Sequence, residues 1–378
     1  MAVDANLPED VTFEILARLP VKSLKRFQCI QKSWLALIQS PEFASAHFTF
    51  SKAKAYPLVK RDSDFTRKPI ISLLSNETLD VKVDLDIPNL FGRNARCIRI
   101  QGSCINGIVC LWSDDDIVIW NPATKEFKVI SDLEVDNLVR EPYSCSLILT
   151  RFNYYWDAVG FSHDSETDDY KVVRIGSCCC KCCFLPNISV DVYSSSTNSW
   201  RSHPKIWPYS SILQGRCPDS QVYLNGSYHW WAITEGDLDK EIILTFDMTN
   251  EIFIETPFPD GVFGHFYFTS RIDKFMVING CVARVFCSNH EEIDKRFDVW
   301  VLGELGVKES WTGLFTIGPV LGIQRPLAID NNGGFYFENE EGKVVWYHPS
   351  TQETNTLKIQ RKSLQVLIYA ETLLSLEN

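Results

Sequence analysis

The feature that most constrains this chain is a repeated hairpin signature: an apolar run ends on an aromatic, a polar residue follows four positions later, and usually a second aromatic stands at seven. Trp120 has Thr124 and Phe127, Tyr193 has Thr197 and Trp200, and Phe246 has Asn250 and Phe253. Tyr347 keeps the spacing with Thr351 and loses the second aromatic at Thr354, while Trp300 fits only if its turn is lengthened to reach Trp311. The anchors recur at close to the roughly 40 to 50 residues of a propeller blade, with an insertion in the first interval. A second signal runs in phase. Asn-Gly, the strongest short-range hairpin dipeptide, stands at 106–107, 225–226, 279–280 and 332–333, each leading into a strand-like run such as Ile108–Trp112 or Val282–Phe286. The Tyr193 repeat lacks it and has instead a long alternating approach through Tyr170–Ile175. Sheets repeated in this way, with no long helices between them, predict an all-β propeller whose closure protects its strand edges. The expectation is about six blades over residues 55–378, the first built from the weakly patterned 55–87. Leu364–Tyr369 is then placed to return to blade one and lock the ring.

Residues 7–50 carry a different period. Pro8 suits a first helical turn, and Glu9 and Asp10 set negative charge against the positive end of the helix dipole. Val11, Ile15 and Leu19, with Leu16 beside them, form one apolar stripe that stops at Pro20. Leu24, Phe27 and Ile30 make a second, and Trp34, Leu37 and Ile38 a third. Ser40-Pro41-Glu42 then supplies an N-cap, a first-turn proline and a first-turn acid for a fourth helix. About forty residues in four short helices cannot enclose this much apolar surface, so something else must cover it. The fold class is thus a small all-α unit (1–50) followed by an all-β propeller (55–378).

Charge and cysteine usage narrow the function. A formal net charge of -11 disfavours nucleic acid, whose binding depends on Lys and Arg displacing counterions. In residues 1–50 the bases Arg18, Lys22, Lys25, Arg26 and Lys32 balance Asp4, Glu9, Asp10, Glu14 and Glu42, so the excess acid lies wholly beyond them. That favours a basic partner for the propeller. No stretch reaches the roughly 18 apolar residues that cross a bilayer, and the first twenty residues do not read as an export signal. Thirteen cysteines, an odd number, are therefore expected to be reduced thiols in a cytoplasmic protein. The sequons at Asn76, Asn187 and Asn225 are expected to stay unmodified. Within Cys178-Cys179-Cys180-Lys181-Cys182-Cys183 two pairs have the two-residue spacing of a zinc knuckle, but a second ligand pair is missing. A hairpin loop between strands at 170–176 and 188–193 is the expectation, with no metal and no cofactor.

Leu7-Pro8-Glu9-Asp10, Ile15-Leu16, Leu19-Pro20, Ser23-Leu24, Arg26-Phe27 and Lys32-Ser33-Trp34 resemble the F-box motif at its usual spacing. The departures are Gln31, where Cys is frequent, and Leu35, where Arg is frequent. The resemblance implies docking on a Skp-family adaptor, and through it on cullin, by Leu7, Pro8, Ile15, Leu16, Leu19, Pro20, Leu24 and Phe27, with Trp34 packing inside the motif. Farther on, Trp120-Asn121-Pro122-Ala123-Thr124, Asp169–Val173, Val192-Tyr193 with Asn198-Ser199-Trp200, and Val299–Leu302 resemble the F-box-associated domain of plant F-box proteins. Ser72–Glu77 and Tyr369–Leu373 are similar to the S-locus F-box subgroup, which is implicated in recognising basic style ribonucleases in pollen. The resemblance implies the substrate receptor of a Skp–cullin–F-box ubiquitin ligase, with a basic ribonuclease as one target; an immune receptor or a metabolic enzyme is an alternative target.

Catalytic motifs are not in evidence: there is no His-Glu-x-x-His, Gly-x-Ser-x-Gly, Walker or dinucleotide glycine pattern. His229, beside Trp230 and Trp231, reads as a structural residue. A propeller hydrolase or lectin carrying a helical cap is the rival class, and it would need a polar constellation in the central cavity. The acids Asp114, Asp115 and Asp116, with Glu340 and Glu341, sit at expected hairpin ends. If those ends share a face, they form a substrate-binding surface that steers a basic protein; if not, they are solvated charge.

Overall fold

The structure, a computed structural model, describes residues 8–63, 68–88, 98–113, 116–130, 153–179, 186–203, 211–213, 221–234, 240–260, 273–288, 294–360 and 363–376. Four helices come first: α1 (Glu9–Leu16), α2 (Val21–Phe27), α3 (Lys32–Ile38) and α4 (Pro41–Ala53). Their starts follow from local chemistry. Pro8 and Pro20 stand just ahead of α1 and α2, and at α4 the Ser40 hydroxyl accepts the Phe43 N–H at 3.2 Å with Pro41 in the first turn. Leu16, Ala17, Leu24, Ile38 and Phe43 form the core of the four helices. Phe13 meets Phe43 edge-on at 5.2 Å and Phe27 leans on Trp34 at 5.4 Å, so Trp34 packs inside the helical unit as expected.

Six antiparallel sheets follow. Blade one contains β1 (Tyr56–Asp62), β2 (Pro69–Leu74) and β3 (Val81–Leu85), and blade two β4 (Arg99–Ile105), β5 (Ile108–Trp112), β6 (Ile117–Trp120) and β7 (Phe127–Ile130). Blade three contains β8 (Asn153–Asp164), β9 (Asp169–Cys179), β10 (Pro186–Ser194) and β11 (Ser199–Ser202). In blade four β12 (Ser211–Leu213) and β13 (Gln221–Leu224) share one edge of β14 (Ser227–Thr234), with β15 (Glu241–Asp247) and β16 (Ile252–Pro257) beyond it. Blade five contains β17 (Lys274–Ile278), β18 (Cys281–Cys287), β19 (Asp294–Leu302) and β20 (Trp311–Leu321). Blade six contains β21 (Ile323–Ile329), β22 (Phe335–Asn339), β23 (Lys343–Tyr347) and β24 (Thr354–Gln360). Finally β25 (Gln365–Tyr369) pairs antiparallel with β1, Tyr369 opposite Tyr56 and Gln365 opposite Lys60. The expected six-bladed propeller and its closure by the 364–369 segment are both present.

In four blades the signature residues are the two ends of the last hairpin: Trp120 pairs with Phe127, Tyr193 with Trp200, Phe246 with Phe253 and Tyr347 with Thr354. In blade five the expected Trp300 anchor is displaced: Leu302 pairs with Trp311 across the longer turn, and Trp300 stands opposite Gly313. Five residues after each regular anchor, Lys125, Asn198, Glu251 and Gln352 adopt left-handed backbone, with φ between 50° and 67°. In all four of these turns the residue after the anchor is a cap: Asn121 Oδ1 accepts the Ala123 N–H at 3.0 Å, Ser194 Oγ the Thr197 N–H at 3.3 Å, Asp247 Oδ1 the Thr249 N–H at 2.8 Å, and His348 Nδ1 the Thr351 N–H at 3.3 Å. The polar residue at position four closes the turn in its own way. Thr124 and Thr351 accept the N–H two residues on, and Asn250 donates to Asp247. The Asn-Gly pairs at 106, 225 and 279 are two-residue turns with both residues at positive φ, joining first strand to second. At 332–333 only the glycine is left-handed, and the turn is longer because Asp330 holds the N–H groups of Asn332 and Gly334.

Apolar faces of neighbouring blades fuse into continuous clusters. Leu58 and Ile71 of blade one meet Val109, Val118 and Trp120 of blade two, and Val285 and Phe297 of blade five meet Phe335 and Phe337 of blade six. Antiparallel order fixes two ends to the ring. One end carries the described first-to-second and third-to-fourth turns; at the other the second strand of each blade ends and the third begins. Among the described residues no helix is long and apolar enough to cross a membrane.

Candidate functional site

Two surfaces stand out, one on the helices and one on the propeller. On the helices, Pro8 and Pro20 are exposed, Ile15 is 48% exposed, and Leu19 and Phe27 are half-buried. Val11, one turn before Ile15, is 42% exposed, and Ile30 reaches 61%. A unit this small leaves such a patch open only if something else covers it. Leu16 and Leu24, expected from the motif to touch a partner, lie inside the core instead and hold the helices at their angles. Leu7 lies outside the described residues. Val11 and Ile30 were legible as stripe residues, but nothing in the sequence separated the outward side of each stripe from the inward one.

The helices rest on the end of the ring that carries the first-to-second and third-to-fourth turns. Asn76, in the β2–β3 turn, donates to the carbonyls of Lys54 at 3.1 Å and Ala55 at 2.7 Å, and Asn331, in the β21–β22 turn, donates to Lys52 O at 3.1 Å. Lys25 pairs with Glu126, in the β6–β7 turn, at 3.4 Å.

The far end carries three of the described acids singled out from the sequence. Asp116 closes the β5–β6 turn, where Ser113 N–H donates to Asp116 O at 2.9 Å and Asp116 N–H to Ser113 Oγ at 3.0 Å. In the β22–β23 turn Asn339 Oδ1 accepts the N–H groups of Glu341 and Lys343, which leaves Glu340 and Glu341 exposed at the tip. Lys343 reaches Glu341 at 2.5 Å, and that bond holds the Glu341 carboxyl below its ordinary range. Both turns join second strand to third, so Asp116, Glu340 and Glu341 belong to one end of the ring, opposite the helices. Blades two and six also flank blade one, since β25 lies between β4 and β21. Asp114 and Asp115 lie outside the described residues.

Other acids have different work. The run 164–169 turns at the helical end of the ring. There Asp164 is bound by Lys171 at 2.9 Å and held at about 2 by that bond against its burial, while Asp169 accepts from Ser195 and Ser196. Glu241 is gripped by Arg284 and by the Trp231 indole, its carboxyl pushed up by burial. His229 is buried, with Nδ1 at 2.8 Å from Thr245 Oγ1, and burial lowers its pKa to about 4. It is a structural histidine, as its strand position suggested. Cys178 and Cys179 end β9, their backbone paired with Asn187 and Pro186, and Cys180–Cys183 lie outside the described residues. Burial raises the Cys104 thiol to about 12.

Comparison with known proteins divides the chain into the same two parts. The F-box domain family matches residues 5–45, and the F-box associated beta propeller domain family matches residues 71–371. An F-box/kelch-repeat protein of Arabidopsis thaliana is 29% identical over 352 residues, which cover 90% of this chain and 87% of that protein. The F-box protein CPR1 of the same plant is 27% identical over 380 residues, covering 94% and 85%.

Proposed function

The chain belongs to the plant F-box proteins that carry an F-box-associated β-propeller, and we propose that its propeller captures a basic protein on the end of the ring opposite the helices. The F-box implies a Skp-family adaptor and, through it, a cullin, so the chain is the substrate-receptor subunit of a Skp–cullin–F-box ligase. In this reading residues 1–50 dock on the adaptor through Pro8, Val11, Ile15, Leu19, Pro20, Phe27 and Ile30, and residues 55–378 hold the target. A separate ubiquitin-charged enzyme performs the transfer to the target's lysines. The receptor contributes proximity, which turns an encounter between two proteins into a step within one assembly.

The observation that carries the target reading is the shared far end of the exposed Glu340 and Glu341 and the half-buried Asp116. Exposed acids on one face draw in a cationic protein and speed its encounter, while apolar and aromatic loop residues decide which one stays. A style ribonuclease met in self-incompatibility is the specific target we propose, supported by the likeness of Ser72–Glu77 and Tyr369–Leu373 to the S-locus subgroup. The test is the association rate of a purified basic style ribonuclease as salt is raised, since exposed charges are screened over about 10 Å at 0.1 M. The rate should fall steeply with salt, and Asp116→Asn with Glu340→Gln and Glu341→Gln should lower it more than they raise dissociation. Binding indifferent to salt and to these substitutions would remove the far end as the steering surface.

A further inference from the structure

Besides the covalent α4–β1 connection, with Asn331 on Lys52 O beside it, and the exposed Lys25–Glu126 pair, the helical unit meets the propeller through a second link built by residues 370–374. Only Lys54 and Ala55 separate α4 from β1, and both carbonyls are held by Asn76. A single short link of this kind still permits rotation about itself. The second link stands elsewhere on the helices. After β25 the chain turns away from the ring, and Glu371 Oε2 accepts the Val21 N–H at 2.8 Å, at the start of α2. That helix begins at Pro20 with no side-chain cap of its own, so Glu371 fills the capping position from 350 residues away. Leu373 packs against the core formed by Leu16, Leu24 and Phe43. The same segment is fastened to the propeller: Asn121 Nδ2 donates to the carbonyls of Thr372 at 3.2 Å and Leu374 at 2.8 Å, and Leu376 N–H donates to Glu126 Oε2 at 3.0 Å. Gly107, at φ +79°, has no room for a Cβ, since one would stand 2.5 Å from Thr372.

We infer that Glu371 and Leu373 are positioning residues for ubiquitin transfer: they lock the orientation of the F-box on the propeller, and so fix which lysines of the captured protein face the charged enzyme. This rests on the receptor reading above. An unlocked F-box still binds the adaptor and the propeller still binds its target, but the target's lysines sweep a larger volume, and proximity is the receptor's whole contribution.

The test uses the full chain in a ligase reconstituted with adaptor, cullin and a ubiquitin-charged enzyme, with the receptor's own propeller lysines as acceptors, so that no target need be known. Wild type should modify a narrow set of lysines, read by mass spectrometry. Leu373→Asp and, more mildly, Glu371→Ala should spread ubiquitin over more lysines while adaptor affinity changes less than about twofold; Glu371→Gln, which keeps the acceptor for the Val21 N–H, should restore the wild-type pattern. An unchanged pattern in Leu373→Asp and Glu371→Ala overturns the inference. Small-angle scattering of the chain alone reads the same lock without the ligase. Wild type should fit one rigid shape and Leu373→Asp a broader ensemble, and identical profiles would overturn the lock. Failure of wild type to bind the adaptor, with the scattering difference intact, would sink the receptor reading and leave the lock standing.

Discussion

His229 lies between Trp230 and Tyr228 in β14 and makes the stability of the propeller sensitive to acid. Its folded pKa of about 4 is below the 6.5 of an unfolded histidine, because burial penalises the charged ring. The unfolded chain therefore takes up the proton first, and stability that is complete above about pH 6.5 is lost as pH falls toward 4. By pH 5 the loss from this residue is about 2 kcal/mol at 1.36 kcal/mol per pKa unit. His47, buried beneath Leu19 O at 3.0 Å, is shifted in the same direction. Urea midpoints at pH 7.5 and pH 5 for wild type and His229→Gln read the effect: the variant should lose distinctly less stability between the two. Equal losses would mean that the ring is not held neutral. The bland role of His229 was legible from its apolar strand. What separated buried from exposed members of the F-box stripes was not, because Leu16 and Ile15 are equally apolar neighbours and only the packing of α2 and α4 decides which faces in.

At the scale of elements, the repeated turn explains both what could be read and what could not. Blades two to six announced themselves through aromatic anchors, yet the turn itself is framed by polar groups and a left-handed residue. Blade one has that frame without the aromatics. Leu74 pairs with Val81, Ser75 Oγ accepts the N–H of Thr78, and Leu79 is left-handed at φ 56°. An anchor defined by aromatic side chains could not find it, whereas one defined by a capping residue and a polar residue three positions later could have. The frame also makes a prediction. Gln352, exposed and at φ 60°, carries a Cβ where glycine is the easier fit. Gln352→Gly should hold or raise thermal stability, and Gln352→Val, β-branched at a left-handed position, should cost about 1 to 2 kcal/mol. The reverse order in thermal or urea denaturation would contradict the turn.

For the whole molecule, the sequence made the two parts and the six-fold repeat legible because both are periodic. Ring closure was legible too, since the 364–369 run had strand character and no local partner. The relation between the parts was not, because it depends on residues 370–374 meeting α2 across nearly the full length of the chain, and no period carries that. Nor could the acids be sorted. Residues 164–169 and 340–341 look alike in sequence, and only strand order sends the first toward the helices and the second away from them. The resulting arrangement has an apolar patch on the helices at one end of the molecule and Asp116, Glu340 and Glu341 at the other, with the F-box fastened to the ring by the α4–β1 connection and by residues 370–374. Its central claim is that the patch is an adaptor-binding surface, and titration calorimetry of the purified chain with a Skp-family adaptor tests it most directly. Wild type should bind one to one with a negative heat-capacity change, the mark of apolar burial. Val11→Asp with Ile15→Asp, both already at the surface, should weaken binding at least about tenfold, which is 1.4 kcal/mol, with the unfolding midpoint of the propeller unchanged. No binding by wild type, or undiminished binding by the double variant, would contradict the account.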